Sequence, residues 1–140
     1  MTKIVYSYYC IDILHIGHIL MMKKSKEVAG ENGVLVAGIL TDKAIIEKKN
    51  KPILPFEERI EIAKSIIFLD RVIPQDTYSP LPNIKKIRPH VLMESTSHLG
   101  EDIADLQLYM NQINGKIIKI PYYEKQSSSK IKKRIADKAR

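Results

Sequence analysis

Short apolar runs alternate along this chain with amphipathic stretches, and this alternation constrains the fold more than any other feature. Residues 34–40 form an uninterrupted apolar run, as expected of a strand buried on both faces of a parallel sheet. Similar runs predict further strands at residues 3–10, 71–73, 90–93 and 116–120. Strands that alternate in this way with helices are typical of βαβ units.

The segments between these runs have the apolar spacing of helices. Helices are predicted over residues 17–29, 55–68, part of 79–87, 101–114 and 127–140. In the second of them, Ile60, Ala63, Ile66 and Ile67 are expected to face inward, whereas residues 41–50 are polar and basic and are interpreted as a loop. The pattern as a whole predicts a three-layer α/β/α Rossmann-like domain with a five-stranded parallel sheet.

Composition narrows the class of protein. The 140 residues fit one domain, residues 1–140, and the hydrophobic share of 44% is ordinary for a soluble globular protein. No apolar run approaches the roughly 18 residues of a membrane span, and no signal-peptide pattern is present, so we expect a cytoplasmic protein without membrane partners. The net charge of +7 favours anionic partners, and the single cysteine, Cys10, excludes an intrachain disulfide.

The segment His15-Ile16-Gly17-His18 is the strongest functional signal. It falls where the first predicted strand meets the first predicted helix, and a helix N-terminus attracts anions. Gly17 is expected to leave room for a ligand, and Asp12 to orient an imidazole or cap the helix. A metal site completed by Asp12 or His98 is an alternative interpretation, and simple packing of the histidines against Tyr8 or Tyr9 is another.

Three segments resemble, in order, the motifs of the cytidylyltransferase-like nucleotidyltransferase superfamily. They are residues 12–20, residues 40–45 with Pro52 and Glu57-Glu58-Arg59, and residues 127–131. Residues 69–77 and 120–122 are most similar to the phosphonate cytidylyltransferases associated with phosphoenolpyruvate mutase, and next to glycerol-3-phosphate cytidylyltransferase. The resemblance implies that CMP passes from CTP to a small phosphonate or phosphate ester, such as 2-aminoethyl- or 2-hydroxyethylphosphonate or glycerol 3-phosphate. It also implies release of pyrophosphate, Mg²⁺ as cofactor and a homodimer.

The same resemblance implies roles for individual residues. The implied catalytic residues are His15, His18 and Lys49; the nucleotide-binding residues are Tyr9, Cys10, Ile11, Asp12, Gly17, Ser127, Ser128 and Ser129; the phosphate-binding residues are Lys48, Lys51 and Arg59; and the metal ligand is Asp42. Each has a plainer alternative. The lysines are a solvated charge run, Arg59 pairs with Glu57 or Glu58 on the surface, and Asp42 and the serines cap helices.

The chain departs from the family pattern at places that bear on substrate choice. Tyr9-Cys10-Ile11 stands where the family often has Gly-Thr-Phe, and Lys125-Gln126 where it has Gly-Ile. Ser95-Thr96-Ser97-His98 replaces the usual Gly-Asp-Asp-Trp, so the resemblance does not fix the identity of the nucleotide base or of the acceptor. An adenylyltransferase, or a transferase of the same fold with another acceptor, is therefore an alternative. A non-catalytic nucleotide- or nucleic-acid-binding module is a third, although the aromatic residues show no stacking pattern and we expect no nucleic-acid partner.

Overall fold

Parallel strands form the centre of the fold, as seen in a computed structural model that describes residues 2–95 and 102–139. The strands are β1 (Ile4–Tyr9), β2 (Val34–Leu40), β3 (Arg71–Gln75), β4 (Val91–Ser95) and β5 (Lys116–Ile120). The helices are α1 (Ile16–Ala29), α2 (Asp42–Ile46), α3 (Phe56–Lys64), α4 (Leu81–Ile87), α5 (Asp102–Gln112) and α6 (Ser128–Lys138). None of these helices is long and apolar enough to cross a membrane.

The strand order confirms the predicted Rossmann-like fold. The five strands pair in parallel in the order β3-β2-β1-β4-β5, so the order reverses between β1 and β4. Strand β1 pairs with β2 along its whole length, but its register with β4 covers only Val5↔Val91 and Tyr6↔Leu92. The carboxyl ends of β1 and β4 therefore separate at the reversal point, which is where ligands bind in sheets of this type.

Apolar side chains from both faces of the sheet form two cores. Val5 and Tyr9 of β1 pack in one core with Met22 of α1, whereas Tyr6 and Tyr8 pack in the other with helix residues that include Met110. Alternate residues of a strand point to opposite faces, so one buried strand contributes to both cores. This arrangement accounts for the three layers that the sequence predicts.

Some element boundaries differ from the predictions. Helix α2 lies in the segment interpreted as a loop, because the Thr41 side chain caps it by accepting a hydrogen bond from Ala44 N (3.2 Å). Helix α3 ends at Lys64 rather than near residue 68, so the inward prediction for Ile67 is wrong and that side chain is 87% exposed. Strand β3 continues through Pro74, which an edge strand tolerates because no ladder hydrogen bond is lost.

Arg59, on α3, is fully buried although it is charged. Its Nη1 donates to the carbonyl oxygens of Cys10 (2.9 Å) and Leu40 (2.7 Å), at the ends of β1 and β2. Its Nε donates to Leu54 O (3.0 Å), and its Nη2 to Asp42 Oδ1 (2.7 Å). One guanidinium thus joins two strand ends, the start of α2 and the segment before α3.

These contacts correct both interpretations of Arg59. The residue is not on the surface, so it does not form the proposed exposed ion pair with Glu57 or Glu58. Its guanidinium is committed to carbonyl groups and to Asp42, which leaves no exposed face for the predicted contact with a phosphate. Its role in this structure is to hold backbone segments together.

We expect the substitution Arg59→Met to lower the free energy of unfolding by at least about 3 kcal/mol, because it leaves three carbonyl groups and one carboxylate without their buried donor. Urea denaturation followed by circular dichroism measures the change. The matched control is Arg71→Met, which alters an exposed arginine and is expected to stay within about 0.5 kcal/mol of wild type. Equal losses of stability in the two variants would contradict the role of Arg59 in holding the backbone segments together.

Candidate functional site

A cleft of about 1230 Å³ opens at the carboxyl ends of the strands. Most of the predicted site residues line it: Tyr9, Cys10, Ile11, Asp12, His15, Gly17, His18, Lys48, Lys49, Ser127, Ser128 and Ser129. Lys51, Arg59 and Asp42 are not among the residues that line it. The structure therefore brings together residues that are more than 100 positions apart in the sequence.

The two histidines cap helix α1 reciprocally. His15 is the N-cap residue, and its Nδ1 accepts a hydrogen bond from Gly17 N (3.0 Å). In return, His18 Nδ1 accepts from His15 N (3.2 Å), and the centroids of the two rings are 4.0 Å apart. Since both Nδ1 atoms are acceptors, each neutral ring carries its proton on Nε2. The predicted cap by Asp12 is wrong, because His15 occupies that position.

Both imidazoles are held in the neutral form. Burial lowers the pKa of His18 to about 3, with smaller contributions from the neighbouring His15 and from the positive charge of Lys49. Burial also lowers the pKa of His15. At neutral pH the site therefore offers two Nε2–H donors, which suit an anion without placing two partly buried positive charges side by side.

Gly17 is required by the protein's own packing. A Cβ atom at this position would lie 2.8 Å from His15 Cε1 and 3.1 Å from the Tyr123 ring. The missing side chain makes room for the imidazole that folds back over the helix start and for an aromatic residue that follows β5, while Gly17 itself lines the cleft. The glycine lets the cap form and lets the segment after β5 approach α1.

Asp12 joins three segments around the cleft. Its carboxylate accepts hydrogen bonds from Ile53 N (3.1 Å) and Leu54 N (2.9 Å), and it forms an ion pair with Lys132 of α6. Burial raises the pKa of Asp12, but these hydrogen bonds and Lys132 outweigh it, and the net shift is downward. The ionised carboxylate thus connects the loop after β1 to the segment before α3 and to the last helix.

The three serines have different contacts. Ser127 caps α6, since its Oγ accepts from Lys130 N (3.0 Å). Ser128 Oγ donates to Ile13 O (2.8 Å), which fastens the start of α6 to the loop after β1. Ser129 lies in the same first turn, is exposed and lines the cleft.

In the part of the chain that the structure describes, protein side chains alone do not form a metal site. Among residues 2–95 and 102–139, no three His, Cys, Asp or Glu side chains group as metal ligands would. The predicted ligand Asp42 is paired with Arg59, and Asp12 is committed to two amides and Lys132. His98, the other candidate partner of the histidines, lies outside the described residues.

Sequence reasoning missed several residues of the cleft: Tyr8, Tyr78, Tyr122, Tyr123 and Lys132. Tyr8 donates a hydrogen bond to Glu94 (2.5 Å) across the ends of β1 and β4, and burial together with the Glu94 charge raises its pKa. A signal existed for the tyrosines, because most of them lie at or just after the carboxyl ends of strands. Lys132 carried no such sequence signal, since nothing in the sequence indicates that it pairs with Asp12.

The sequence profile of one protein family, described as cytidylyltransferase-like, matches residues 10–134. The FAD synthase of Korarchaeum cryptofilum is 32% identical over 126 residues, which cover 89% of this chain and 85% of that protein. The FAD synthase of Thermococcus kodakarensis is 33% identical over 87% of this chain and 82% of its own length. The bifunctional protein HldE of Campylobacter concisus is 29% identical over 96% of this chain, which spans only 27% of HldE.

A solved structure supports the fold. The lipopolysaccharide core biosynthesis protein of Thermoplasma volcanium superposes with a TM-score of 0.75 at 24% sequence identity, over 87% of this chain and 98% of that one. The similarity extends through most of both chains, so the Rossmann-like arrangement is shared as a whole. At this level of identity it informs the fold alone.

We expect the His18 ring to remain neutral between pH 5 and 8, with its proton on Nε2. Long-range ¹H–¹⁵N correlation spectra across this range measure both the charge and the tautomer, and the variant His15→Gln assigns the two rings. A folded-state pKa that lies below the unfolded value near 6.5 means that the unfolded chain binds more protons in acid. The free energy of unfolding should therefore fall as the pH drops below about 6.5. A midpoint for His18 above pH 5 would contradict the burial argument.

Proposed function

The chain belongs to the cytidylyltransferase-like family and is a nucleotidyltransferase, and we propose that it acts on a small acceptor that carries a phosphate or phosphonate group. An acceptor oxygen attacks the α-phosphorus of a nucleoside triphosphate. The bond from that phosphorus to the bridging oxygen of the β-phosphate breaks, and pyrophosphate leaves with the bond's electron pair. The net charge of +7 also suggested a non-catalytic module that binds nucleotides or nucleic acid. Membership of this family does not favour that alternative.

The observation that carries the proposal is the pair of neutral imidazoles at the start of α1. Their Nε2–H groups and the positive end of the helix dipole lie in a cleft at the point where the strand order reverses. Transfer at phosphorus requires mainly positioning and stabilisation of negative charge on phosphate oxygens. We assign the binding of α- and β-phosphate oxygens to His15 and His18.

Other residues of the cleft complement this role. Lys48 and Lys49 bring positive charge to it, and Ser129 presents a hydroxyl group at the first turn of α6. Ser127, Ser128 and Asp12 support the site through the cap, the contact with Ile13 and the ion pair with Lys132. Mg²⁺ stays a prediction from the resemblance: such an ion is usually held by one or two carboxylates together with substrate phosphates and waters, so it accompanies the triphosphate in the assay below, and no step of the proposal passes through it.

For the substrates we propose CTP and a small phosphonate or phosphate ester. The support is the likeness of residues 69–77 and 120–122 to phosphonate cytidylyltransferases. A second candidate, adenylyl transfer from ATP, is favoured by a specific observation: proteins named FAD synthase match this chain over more than 80% of their own length, and FAD contains an adenylyl group. A homodimer and a cytoplasmic location stay predictions from the sequence.

We expect pyrophosphate release when the protein is incubated with CTP, Mg²⁺ and 2-aminoethyl- or 2-hydroxyethylphosphonate. The four nucleoside triphosphates are compared against a panel of phosphonates, glycerol 3-phosphate and flavin mononucleotide, with coupled detection of pyrophosphate. Preference for ATP with any acceptor would replace the cytidylyl proposal by the adenylyl one. No turnover with any pair, from a folded protein that binds no nucleoside triphosphate in calorimetry, would refute both.

Replacing either imidazole is expected to reduce kcat by about 100-fold or more, since each removes a donor from the transition state. The variants are His15→Ala and His18→Ala, with thermal melting as a check that the capped helix survives. The matched control is His90→Ala, which removes an exposed histidine hydrogen-bonded to Ile4 N at the opposite end of the sheet. Activity of the His18 variant equal to that of the His90 variant would exclude a role for the pair.

A further inference from the structure

The cleft has two sides, because strand β1 contributes to both cores. On the side of α1, which packs in the first core, the lining includes both histidines. On the opposite side, which we call the acceptor side, the lining consists of residues of the second core: Tyr8, Cys10, Leu40, Ile45 and Tyr78. The proposed binding of the triphosphate at the start of α1 leaves the acceptor side for the small acceptor.

Tyr8 and Tyr78, the two aromatic residues of the acceptor side, are fixed by different contacts. The Tyr8 ring stacks on the buried Tyr6 ring, with the two centroids 6.5 Å apart. Tyr78 N donates to Glu47 Oε2 (3.1 Å), and Glu47 begins the lysine loop, residues 47–52. Aromatic rings attract cations, most strongly where water is excluded. The acceptor side therefore offers two aromatic side chains that suit a cation better than an anion.

A carboxylate lies next to Tyr8 near the carboxyl end of β4. Residues 91–93 of this strand are apolar and buried, and Glu94, which follows them, is only 1% exposed. Its Oε1 accepts a hydrogen bond from the Tyr8 hydroxyl group (2.5 Å). Burying a carboxylate costs more free energy than continuing the apolar strand by one residue. The place of Glu94 beside a tyrosine that lines the cleft points to a chemical use rather than to packing.

The hydrogen bond to Glu94 determines which groups the Tyr8 oxygen can bind. A phenol carries one proton, and here that proton is donated to the carboxylate, so toward a further group the Tyr8 oxygen can only accept. Burial, and then the charge of Glu94, raises the pKa of Tyr8, so the hydroxyl group keeps its proton at neutral pH. An accepting oxygen with a carboxylate behind it favours a donor that is itself positively charged. An ammonium group meets this requirement better than a neutral hydroxyl group.

We propose that Glu94, acting through Tyr8, is a specificity-determining residue that gives the acceptor side a preference for a protonated amine. The preferred acceptor is an aminoalkyl phosphonate or phosphate, with the amine at the end remote from the phosphorus. This inference rests on the proposed nucleotidyl transfer and narrows its acceptor class. The amine lies against Tyr8, and the anionic end of the acceptor points toward Lys48 and Lys49, which line the same cleft. Neither Glu94 nor Tyr8 touches a reacting atom in this arrangement.

Three acceptors of equal length test the preference: 2-aminoethyl-, 2-hydroxyethyl- and propylphosphonate. Their remote ends are a charged donor, a neutral donor and a methyl group, so the series separates the effect of charge from that of hydrogen bonding. We expect kcat/KM, measured by pyrophosphate release with the preferred nucleoside triphosphate, to fall about 10-fold from the amine to the alcohol, and further to the alkyl compound. The gain from one hydrogen bond to a charged group corresponds to a factor of this size.

The decisive variant is Glu94→Gln, which keeps an oxygen to accept the Tyr8 proton and removes the negative charge. We expect the ratio of kcat/KM for the amine over the alcohol to fall from about 10 to about 1, mainly through slower turnover of the amine. Tyr8→Phe, which removes the oxygen that contacts the amine, should reduce the ratio in the same way. A folding defect alone would lower kcat/KM for both acceptors and leave their ratio unchanged.

The control is Glu31→Gln, the same chemical change at an exposed carboxylate just before β2, at the opposite end of the sheet, and it should leave the ratio as in wild type. Wild-type turnover without a preference for the amine, or a preference that survives both Glu94→Gln and Tyr8→Phe, would overturn this inference and leave the proposed function standing. Turnover only with acceptors that carry no amine, flavin mononucleotide included, would do the same. A wild type that neither binds nor turns over any nucleoside triphosphate would overturn the proposed function, and this inference with it.

Discussion

The buried guanidinium of Arg59 is the contact on which the shape of the cleft depends. It donates to carbonyl oxygens at the carboxyl ends of β1 and β2 and just before α3, and it pairs with Asp42 at the start of α2. Parallel strands end in carbonyl groups that no neighbouring strand satisfies, and burying them without a donor is costly. A single side chain with five donors in a rigid fork satisfies two of these strand-end carbonyls together with the Leu54 carbonyl before α3, and so fixes their separation.

At the start of α1, the hydrogen bonds that stabilise the helix also set the chemical state of the two histidines. The hydrogen bonds from Gly17 N to His15 and from His15 N to His18 satisfy amides that would otherwise be unpaired at the helix start. The same bonds set the tautomer of both rings and leave Nε2–H as the donor of each. Because burial keeps the rings neutral, they can lie 4.0 Å apart, which two imidazolium ions would resist. The cap of the helix is thus also the proposed phosphate site.

Polar anchors organise the rest of the cleft. Asp12 connects the loop after β1 to Ile53, Leu54 and Lys132, and Tyr78 fastens the entry of the lysine loop through Glu47. These side chains come from segments far apart in the chain, and each is itself hydrogen-bonded. A nucleotidyltransferase needs such order, because catalysis at phosphorus depends on holding donors and substrate in a fixed geometry.

The sequence by itself determined the features that depend on local pattern. The alternation of apolar runs and helical spacing predicted the parallel sheet, and the His-x-Gly-His segment at a strand–helix junction predicted a site at the carboxyl ends of the strands, where the cleft lies. Tertiary structure decided the rest, because contacts between distant segments leave no local signal. An arginine on an amphipathic helix is expected at the surface. Arg59 is buried instead, and its guanidinium binds carbonyl groups that only the folded sheet brings together. Lys132 and Tyr78 enter the site for the same reason, since a long-range hydrogen bond selects its partners by position in space rather than by position in the chain.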